Sequence, residues 1–397
     1  MNPVLVKPEG DDRSQVIVLG RPDHELSRLP WRGRHARLWP VIAEALRSLQ
    51  AEHELVLLEG AGSPAEINLR DTDLANMRSA EAADAAVVLV ADIDRGGAFA
   101  HLYGTWALLR ASERRRLAGF VLNKFRGDAR LLPPGPQRLE QLTRVPTLGV
   151  LPWLEHELPD EDGAARPRPA PGKPRVAVVR YPTASNLDEL KPLEQVADVR
   201  FAARVEDLVG AALVVLPGSK HVSADLAWLR RSGLARAVAA RAGRGEPVLG
   251  ICGGLQMLGA RIVDEAGVDG SGDGLGLLPL VTCFRAEKAT RHTRTRFCVL
   301  PPPWTALSAR PFVGYEIRHG ETTAIAPVAE ALPDGLGYVA GSVCGIYLHG
   351  LFEQPELVAA LFSALPARSL EQVFDRLADA VEEHLDLVPA LRQVGLA

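Results

Sequence analysis

Short apolar runs alternate with longer stretches of helical spacing along most of the chain, and this alternation constrains the fold more than any other feature. In the first half these runs are QVIVLG (15–20), ELVLLEG (54–60), AAVVLVAD (85–92), GFVLNKF (119–125) and TLGVLP (147–152). Near-continuous apolar strands separated by helices are typical of a parallel sheet covered on both faces. The pattern therefore predicts an α/β fold.

One segment rich in proline and charge interrupts the alternation. Residues 159–174 read PDEDGAARPRPAPGKP, which is the composition of a linker. The α/β pattern restarts at RVAVVRYP and continues to CGIYLHGLF. The sequence thus predicts two doubly wound domains, at 1–158 and 175–363, followed by a C-terminal helical segment at 364–397.

Composition and charge exclude several classes of protein. The net charge of −4 over 397 residues gives no reason to expect a nucleic-acid partner. The four cysteines lack C-x-x-C spacing, which argues against a zinc site and a disulfide framework. No signal pattern opens the chain, and no apolar run approaches about 18 residues. We expect a soluble, cytoplasmic protein without a membrane partner.

The stretch PVLGICGGLQMLG (247–259) places one cysteine between an apolar strand and a helix. Gly253 and Gly254 permit a tight turn after Cys252, and the helix N-terminus beside the sulfur favours the nucleophilic thiolate. The amide of Gly253 points to where an oxyanion would form. This arrangement predicts a nucleophile elbow with cysteine in place of serine. The alternative is a buried, inert cysteine.

A nucleophilic cysteine needs a base. His349 in GIYLHGLF follows a strand-like run and has a glycine beside it, as expected of a side chain presented at a sheet edge. His319 in VGYEIRHG is the second candidate. Either one could instead be an ordinary core or surface histidine.

The motifs LGICGGLQMLG, LPGSKH and YLHGLF together resemble the class I glutamine amidotransferase domain of the cobyric acid synthase family. The resemblance implies that Cys252 is the nucleophile and His349 the base in releasing ammonia from glutamine through a thioester. It also implies an oxyanion hole formed by Gly218, Ser219 and Gly253.

A third catalytic member is less clear from the sequence. Many class I amidotransferases have a glutamate two residues after the histidine, where this chain has Leu351. In this respect the chain resembles the branch that uses a cysteine–histidine dyad. Glu316 in GYEIRHG is a candidate for orienting His349, and the alternative is a structural or substrate contact.

The front half is similar to the same family in NPVLVKP, SQVIVLGRP, LLEGAGSPAEINLRDTDLANM, ADIDRGGAFA and NKFRGD. It resembles the dethiobiotin-synthetase-like branch of P-loop ATPases, which implies ATP as a substrate. Glu59, at the end of a predicted strand, could hold Mg²⁺, and Gly60 and Gly62 would let the backbone approach phosphates. The other residues that the resemblance places around the nucleotide are Asp92, Asp94 and Asn123. The loop carboxylates Asp71 and Asp73 are further candidates, with simple solvation as the alternative.

A P-loop of the form G-x-x-x-x-G-K-[ST] is missing, since the only Gly-Lys pair is Gly172-Lys173 in the linker. In the family the P-loop precedes the segment that resembles NPVLVKP. We therefore expect the chain as given to be unable to use ATP, and we expect a start codon assigned too far downstream. The alternative is a true truncation that a separate P-loop chain complements, and the coding frame upstream of Met1 distinguishes the two.

The resemblance covers nearly the whole chain and implies a complete reaction. It is the ATP- and glutamine-dependent amidation of corrin carboxylates, from adenosyl-cobyrinic acid a,c-diamide to adenosyl-cobyric acid, without a tightly bound cofactor. The alternatives are a partner-dependent glutaminase subunit, a non-catalysing binding protein, and a partition-type ATPase fused to an amidotransferase-like module. Cys252 and His349 disfavour loss of chemistry, and EGAGSPAEINL favours the synthase over a partition protein.

Overall fold

The chain forms two compact units. The first is Met1–Glu155 together with Arg376–Ala397, and the second is His156–Asp375. The domain boundaries given above stay predictions, and most of the proposed linker lies outside the described residues. The computed structural model describes residues 2–8, 14–154, 158, 170–365 and 370–396, without the side chains of 129 and 370.

The first unit contains a small antiparallel sheet and a three-stranded parallel sheet flanked by helices. Short 3₁₀ helices lie at Arg70–Thr72 and Ala129–Leu131. In chain order the other elements before the second unit are β1 (Val4–Pro8), β2 (Ser14–Val18), β3 (Arg21–Asp23), α1 (His24–Arg28), α2 (Trp31–Glu52), α3 (Met77–Ala83), β4 (Val87–Asp92), α4 (Ala98–Leu108), α5 (Ala111–Arg114), β5 (Leu117–Phe125), α6 (Gly135–Thr143) and β6 (Thr147–Pro152).

The parallel sheet has the order β4-β5-β6, and its register sets Asp92 beside Asn123. Phe120 and Leu122 on β5 are fully buried in the core that the helices cover. The antiparallel sheet has the order β1-β2-β3, with Val6 opposite Val16.

Two of the predicted parallel strands are wrong. The run at 15–20 does form β2, but β2 pairs antiparallel with β1 and β3. The run at 54–60 has no regular structure, and Leu57 within it is 87% exposed. A strand is stable only when neighbouring strands satisfy its backbone groups. Among the described residues, β4 pairs with β5 alone. Residues 54–60 therefore have no strand of this sheet to pair with.

The second unit is built around a seven-stranded sheet. Four 3₁₀ helices lie at Leu187–Gln195, Val205–Leu208, Trp304–Leu307 and Leu351–Glu353. In chain order its other elements are β7 (Arg175–Val179), β8 (Ala184–Ser185), β9 (Asp198–Ala202), β10 (Leu213–Leu216), β11 (Gly218–Ser219), α7 (Val222–Arg231), α8 (Leu234–Gly243), β12 (Val248–Ile251), α9 (Gly253–Leu258), β13 (Arg261–Val263), β14 (Gly272–Asp273), β15 (Leu280–Arg296), β16 (Pro311–Ala324), β17 (Ala329–Leu332), β18 (Gly337–Ala340), β19 (Val343–Ile346) and α10 (Pro355–Phe362).

The large sheet has the order β17-β18-β19-β12-β10-β7-β9, and the five strands from β19 to β9 are parallel. Along β7, Val176 and Val178 face one buried core, while Ala177 and Val179 face another. Both faces are therefore covered, as the continuous apolar runs predicted. The carboxyl ends of β7, β10, β12 and β19 meet at one edge, where open α/β sheets place their ligands.

Two smaller sheets complete the second unit. The pair β8 and β11 is antiparallel and sets Ser219 opposite Ala184. A four-stranded sheet has the order β14-β13-β15-β16, in which the long ribbon of β15 and β16 pairs Glu316 with Arg291.

The chain ends in α11 (Leu370–His384) and α12 (Val388–Gln393), and the part from Arg376 onward belongs to the first unit. The N–H of Asp386 donates to the carbonyl oxygen of Leu148 on β6 (2.8 Å). Of the helices in the described ranges, none has the length and apolar character needed to cross a membrane.

Candidate active site

Cys252 lies at a strained turn between β12 and α9. Its φ of 51° and ψ of −104° are rare for a residue with a side chain and cost about 1–3 kcal/mol. The Cys252 N–H donates to the carbonyl oxygen of Ile346 (2.8 Å), and its carbonyl accepts from the N–H of Gln256 (3.2 Å). The main chain is thus held on both sides of the sulfur, which is 3.5 Å from the carbonyl oxygen of Ile317.

The two glycines after Cys252 are required by close packing. A Cβ at Gly254 would lie 1.9 Å from the carbonyl oxygen of Leu216, a contact that no side chain tolerates. A Cβ at Gly253 would lie 2.8 Å from the backbone nitrogen of Ser219. The helix start and the segment after β10 therefore touch, main chain against main chain, beside the sulfur.

His349 follows β19 and is 1% exposed. Its Nδ1 lies 2.9 Å from Oε1 of Glu189, while Oε2 of the same carboxylate accepts from the N–H of Gly350 (2.8 Å). The ring also hydrogen-bonds the side chain of Cys252. Because Nδ1 is held by Glu189, Nε2 is the nitrogen available to the sulfur. The structure thus joins Cys252, His349 and Glu189 in one chain of contacts.

The surroundings of His349 favour its charged form. Burial lowers the pKa of the imidazole, but the hydrogen bonds to Cys252 and Glu189 and the charge of Glu189 outweigh burial and raise that pKa to about 10. A protonated imidazole beside the sulfur stabilises a thiolate. The imidazole of His349 is therefore protonated at neutral pH.

Tyr315 on β16 covers the other side of the imidazole. Its ring stacks on that of His349 with centroids 5.2 Å apart and planes 20° apart. The hydroxyl accepts from Nδ2 of Asn186 (3.0 Å). Burial raises the pKa of Tyr315 to about 12, so the phenol stays neutral. The stack and the Glu189 hydrogen bond together fix the plane of the catalytic-site imidazole.

The idea that Glu316 orients His349 is wrong. Glu316 is fully buried, and its oxygens accept from Arg291 (2.6 Å), Arg318 (2.8 Å) and Thr293 (3.0 Å). These hydrogen bonds hold the pKa of Glu316 below its usual value, even though burial acts in the opposite direction. The second candidate, His319, has a different contact, since its Nδ1 lies 3.1 Å from the carbonyl oxygen of Arg285.

Glu189 was missed from the sequence because it lies 160 positions before His349. One signal could have found it. It follows the parallel strand β7 by ten residues, and segments that follow neighbouring parallel strands gather at one sheet edge. A carboxylate soon after such a strand was therefore a candidate partner for a histidine at that edge.

Gly218 and Ser219 form β11, directly after β10. A Cβ at Gly218 would lie 3.0 Å from Cε1 of His349 and 2.8 Å from Oγ of Ser185. The segment predicted to supply an oxyanion donor is therefore packed against both the imidazole and Gly253.

In the first unit the structure brings Asp92, Asp94 and Asn123 to the carboxyl ends of β4 and β5. Their side chains already have partners. Asp92 accepts from Nζ of Lys124 (3.0 Å), and this hydrogen bond lowers the pKa of Asp92. Asp94 pairs with Arg126 (3.2 Å), and Asn123 accepts from the N–H of Lys124 (2.8 Å).

Glu59, Gly60 and Gly62 lie on the irregular segment and not at the end of a strand. A Cβ at Gly60 would lie 2.4 Å from Oδ1 of Asn76, whose Nδ2 donates to the carbonyl oxygen of Ala61 (2.9 Å). No group of three metal-ligating side chains is arranged to hold an ion in the part of the chain that the structure describes. The Mg²⁺ site at Glu59 stays a prediction.

The loop candidates Asp71 and Asp73 line a cavity of about 470 Å³ in the first unit. Oδ1 of Asp73 accepts from the N–H groups of Ala75 (3.2 Å) and Asn76 (3.0 Å). Asp73 therefore has a structural task, because it satisfies backbone donors just before α3.

Comparison with known proteins agrees with both halves of this description. The family model of the CobB/CobQ-like glutamine amidotransferase domain matches residues 175–357, and an AAA domain model matches 33–159. The cobyric acid synthase of Polaromonas naphthalenivorans (strain CJ2) is 53% identical over 97% of this chain and 83% of its own length. That of Variovorax paradoxus (strain S110) is 54% identical with the same coverage. A solved glutamine amidotransferase has 19% identity and a TM-score of 0.38, covering 48% of this chain and 99% of its own.

The second unit is a glutamine amidotransferase domain, and the chain is an enzyme of the glutamine-hydrolysing amidotransferase class. Relatives that are more than half identical over nearly the whole chain fix its place further: it belongs to the cobyric acid synthase family. The predicted family and the two-domain α/β fold class are confirmed.

Proposed function

We propose that the chain catalyses the ATP- and glutamine-dependent amidation of peripheral corrin carboxylates, converting adenosyl-cobyrinic acid a,c-diamide to adenosyl-cobyric acid. The observation that carries the proposal is the contact of Cys252, His349 and Glu189 at the carboxyl edge of the amidotransferase sheet. The identity to cobyric acid synthases supports the choice of a corrin as the acceptor.

In the first step the thiolate of Cys252 attacks the carboxamide carbon of glutamine. A C–S bond forms, and the carbonyl electron pair moves to oxygen. The N–H groups of Ser219 and Gly253 stabilise that oxyanion. The C–N bond then breaks as the imidazolium of His349 gives its proton to the departing nitrogen, and ammonia leaves a thioester on Cys252.

In the second step water hydrolyses the thioester. Nε2 of His349 takes a proton from the attacking water, and a C–O bond forms as the C–S bond breaks. Glutamate leaves, and the thiolate–imidazolium pair is restored. Throughout, Glu189 holds the Nδ1 proton, so Nε2 alone exchanges protons with substrate and water.

The ammonia is consumed in an amidation that we assign to the first unit. A corrin carboxylate oxygen attacks the terminal phosphorus of ATP, which releases ADP and forms an acyl phosphate. Ammonia attacks the acyl carbon, and phosphate leaves. Asp92, Asp94 and Asn123 are the candidate nucleotide-binding residues. Placing Mg²⁺ at Glu59 stays a prediction from the family resemblance, and no step is assigned to the metal.

A cytoplasmic location fits this chemistry, because the nucleophile has to remain a free thiol. Four cysteines are unpaired in the structure, and cytosolic conditions keep thiols reduced.

The test follows the amide nitrogen. The chain, supplied with the P-loop segment that its sequence lacks, is incubated with ATP, the corrin diamide and glutamine labelled with ¹⁵N in its amide, and corrin mass is measured. We expect ¹⁵N in the corrin product, and we expect neither label transfer nor glutamine hydrolysis in Cys252→Ser. Cys344→Ala, in the buried core, is the matched control that keeps both activities.

Two outcomes would contradict the proposal. Glutamine hydrolysis that survives in Cys252→Ser would remove this cysteine from the reaction. Ammonia release without any label in the corrin would favour a glutaminase subunit that depends on a partner.

A further inference from the structure

Asp225, in the first turn of α7, is 1% exposed and has no role in the steps above. Its carboxylate accepts three hydrogen bonds from outside α7. They come from the N–H of Thr183 (3.1 Å), the hydroxyl of Thr183 (2.6 Å) and the hydroxyl of Ser219 (2.6 Å). Burying a carboxylate is costly unless such bonds satisfy it. An acidic group at this position therefore needs a reason beyond filling space.

The carboxylate determines which way the two hydroxyls point. A carboxylate only accepts, so the hydroxyls of Thr183 and Ser219 both have to donate to it. Their lone pairs then remain for the N–H of His221, which lies 3.0 Å from Oγ1 of Thr183 and 3.2 Å from Oγ of Ser219. Asp225 thereby fixes the turn from 219 to 221.

This turn controls the direction of the Ser219 N–H. The N–H of Lys220 donates to the carbonyl oxygen of Thr183 (3.0 Å). In an antiparallel ladder hydrogen-bonded positions alternate, so the N–H of Ser219 points away from β8. On that side lies Gly253, whose Cβ would be 2.8 Å from the Ser219 nitrogen. The free amide therefore faces the start of α9, beside the sulfur.

A second anchor holds the preceding residue. The hydroxyl of Tyr181, which is 1% exposed, donates to the carbonyl oxygen of Pro217. Pro217 and Ser219 are thus held on either side of Gly218, one through its carbonyl and one through its side chain. Of these two anchors, only Asp225 acts on the residue whose amide is the proposed donor.

We propose that Asp225 is a positioning residue for glutamine hydrolysis, which holds the N–H of Ser219 in the oxyanion site through the hydroxyls of Ser219 and Thr183. The proposal rests on the function proposed above. Asp225 touches no reacting atom, and its effect is confined to the transition states that carry an oxyanion.

The experiment compares Asp225→Asn with the wild-type full chain. Asparagine has nearly the same shape but presents an N–H₂ group where one oxygen was. That group faces either the hydroxyls of Thr183 and Ser219, which share Oδ2, or the N–H of Thr183, which binds Oδ1, so in either orientation a donor of the turn loses its acceptor. Removing one oxyanion donor costs about 10²–10³ in kcat, so misplacing one should cost roughly 10- to 10²-fold. KM for glutamine should change by less than about threefold, because the bond is made in the transition state.

Alkylation of Cys252 by iodoacetamide separates positioning from a general structural effect. That reaction displaces iodide at a saturated carbon and forms no oxyanion. Its rate should therefore match the wild type in Asp225→Asn. Ser219→Ala keeps the amide but removes the hydroxyl anchor, so it should lose kcat in the same way and provides a second variant should Asp225→Asn fold poorly.

Asp269→Asn is the matched control. Asp269 binds the backbone and hydroxyl of Ser223 at the same end of α7, and glutamine hydrolysis should keep its wild-type kcat in this variant. The inference is overturned if both test variants keep kcat within about twofold of wild type, or if alkylation falls in parallel with kcat. If wild-type chain hydrolyses no glutamine, the proposed function fails, and this inference fails with it.

Discussion

The two candidate sites differ in how the strands beneath them are paired. In the second unit, β10, β12 and β19 are each hydrogen-bonded to a strand on both sides. In the first unit, β4 lies at the edge of the described order β4-β5-β6, so Asp92 is the last residue of an edge strand on which Val90 is 60% exposed.

The consequence is visible in what holds the functional groups. Cys252 and His349 are held by main-chain contacts and buried hydrogen bonds. Asp92 and Asp94 are held by partly exposed ion pairs with Lys124 and Arg126. Such pairs contribute about 0–1 kcal/mol each to stability. Strand pairing therefore contributes more to the rigidity of these two sites than ion pairs do.

The largest expected effect separates the chemistry of the two units. In a form of the chain that carries a P-loop, His349→Ala should lower glutamine-dependent amidation roughly 10⁴-fold or more, because the base serves thioester chemistry alone. Amidation driven by a high concentration of added ammonium should stay within about threefold of wild type. Corrin product formed from each nitrogen source is the measurement. Failure of ammonium to rescue would show that His349 also supports the synthetase site.

The next effect tests Glu189 as the partner of the imidazole. Glu189→Gln should lower kcat for glutamine hydrolysis by roughly 10²–10⁴-fold. It removes the charge that helps raise the His349 pKa to about 10, so the alkaline limb of the pH–rate profile should move to lower pH. A limb that stays in place would exclude Glu189. Glu316→Gln, beside Arg291 and Arg318, is the matched buried carboxylate and should not move the limb.

The same pair predicts how stability depends on pH. The folded pKa of His349 is raised from 6.5 to about 10, so the imidazolium stabilises the fold fully below pH 6.5 and loses this contribution as pH rises through 10. The free energy of unfolding of the wild type should therefore fall more steeply between these values than that of Glu189→Gln. Parallel urea titrations across this range measure the difference. Identical slopes would contradict the buried pair.

The next effect is on stability and comes from the close packing of the turn after Cys252. Gly254→Ala would press a Cβ against the carbonyl oxygen of Leu216, and we expect the second unit to lose about 3 kcal/mol of stability. Thermal unfolding midpoints report it. An unchanged midpoint would show that β10 and α9 can move apart, which would contradict the rigidity ascribed to this unit.

The matched glycine in the first unit should behave in the opposite way. Gly104 lies inside α4, and a Cβ there meets nothing within 4 Å. Gly104→Ala should raise the stability of that unit by about 0.5–1 kcal/mol, because alanine favours the helix. A lower unfolding midpoint would reveal a contact that the open space does not show.

The smallest effect concerns the exposed pairs. Asp94→Asn breaks the contact with Arg126, and the stability of the first unit should change by less than about 0.5 kcal/mol. Glutamine hydrolysis should be unchanged. A loss of more than about 1 kcal/mol would mean that this pair is a structural anchor after all.

Much of the fold could be predicted from the sequence because it is encoded locally. The run before Cys252 and the glycines after it specify the strand, the turn and the helix together. The segment at 54–60 was misjudged for the opposite reason, since an apolar run becomes a strand only when a partner lies beside it. Sequence periodicity carries no information about that partner.

The residues of the active site also divide into those that the sequence predicts and those that it does not. Cys252 and His349 stand in short motifs, and the structure places them in hydrogen-bond contact. Glu189 and Asp225 lie in no such motif, and their partners are distant in the chain or depend on the register of β8 with β11. A carboxylate of this kind becomes recognisable only when the three-dimensional arrangement is known.

The return of the chain from Arg376 onward to the first unit has a consequence for biosynthesis. Ribosomes add about 5–20 residues per second, so roughly 10–45 s separate the end of Glu155 from the arrival of that last segment. During this interval the carbonyl oxygen of Leu148 on β6 lacks the hydrogen bond that the N–H of Asp386 donates in the folded protein. The amidotransferase unit is uninterrupted, so all of its residues are synthesised before the first unit has its last segment.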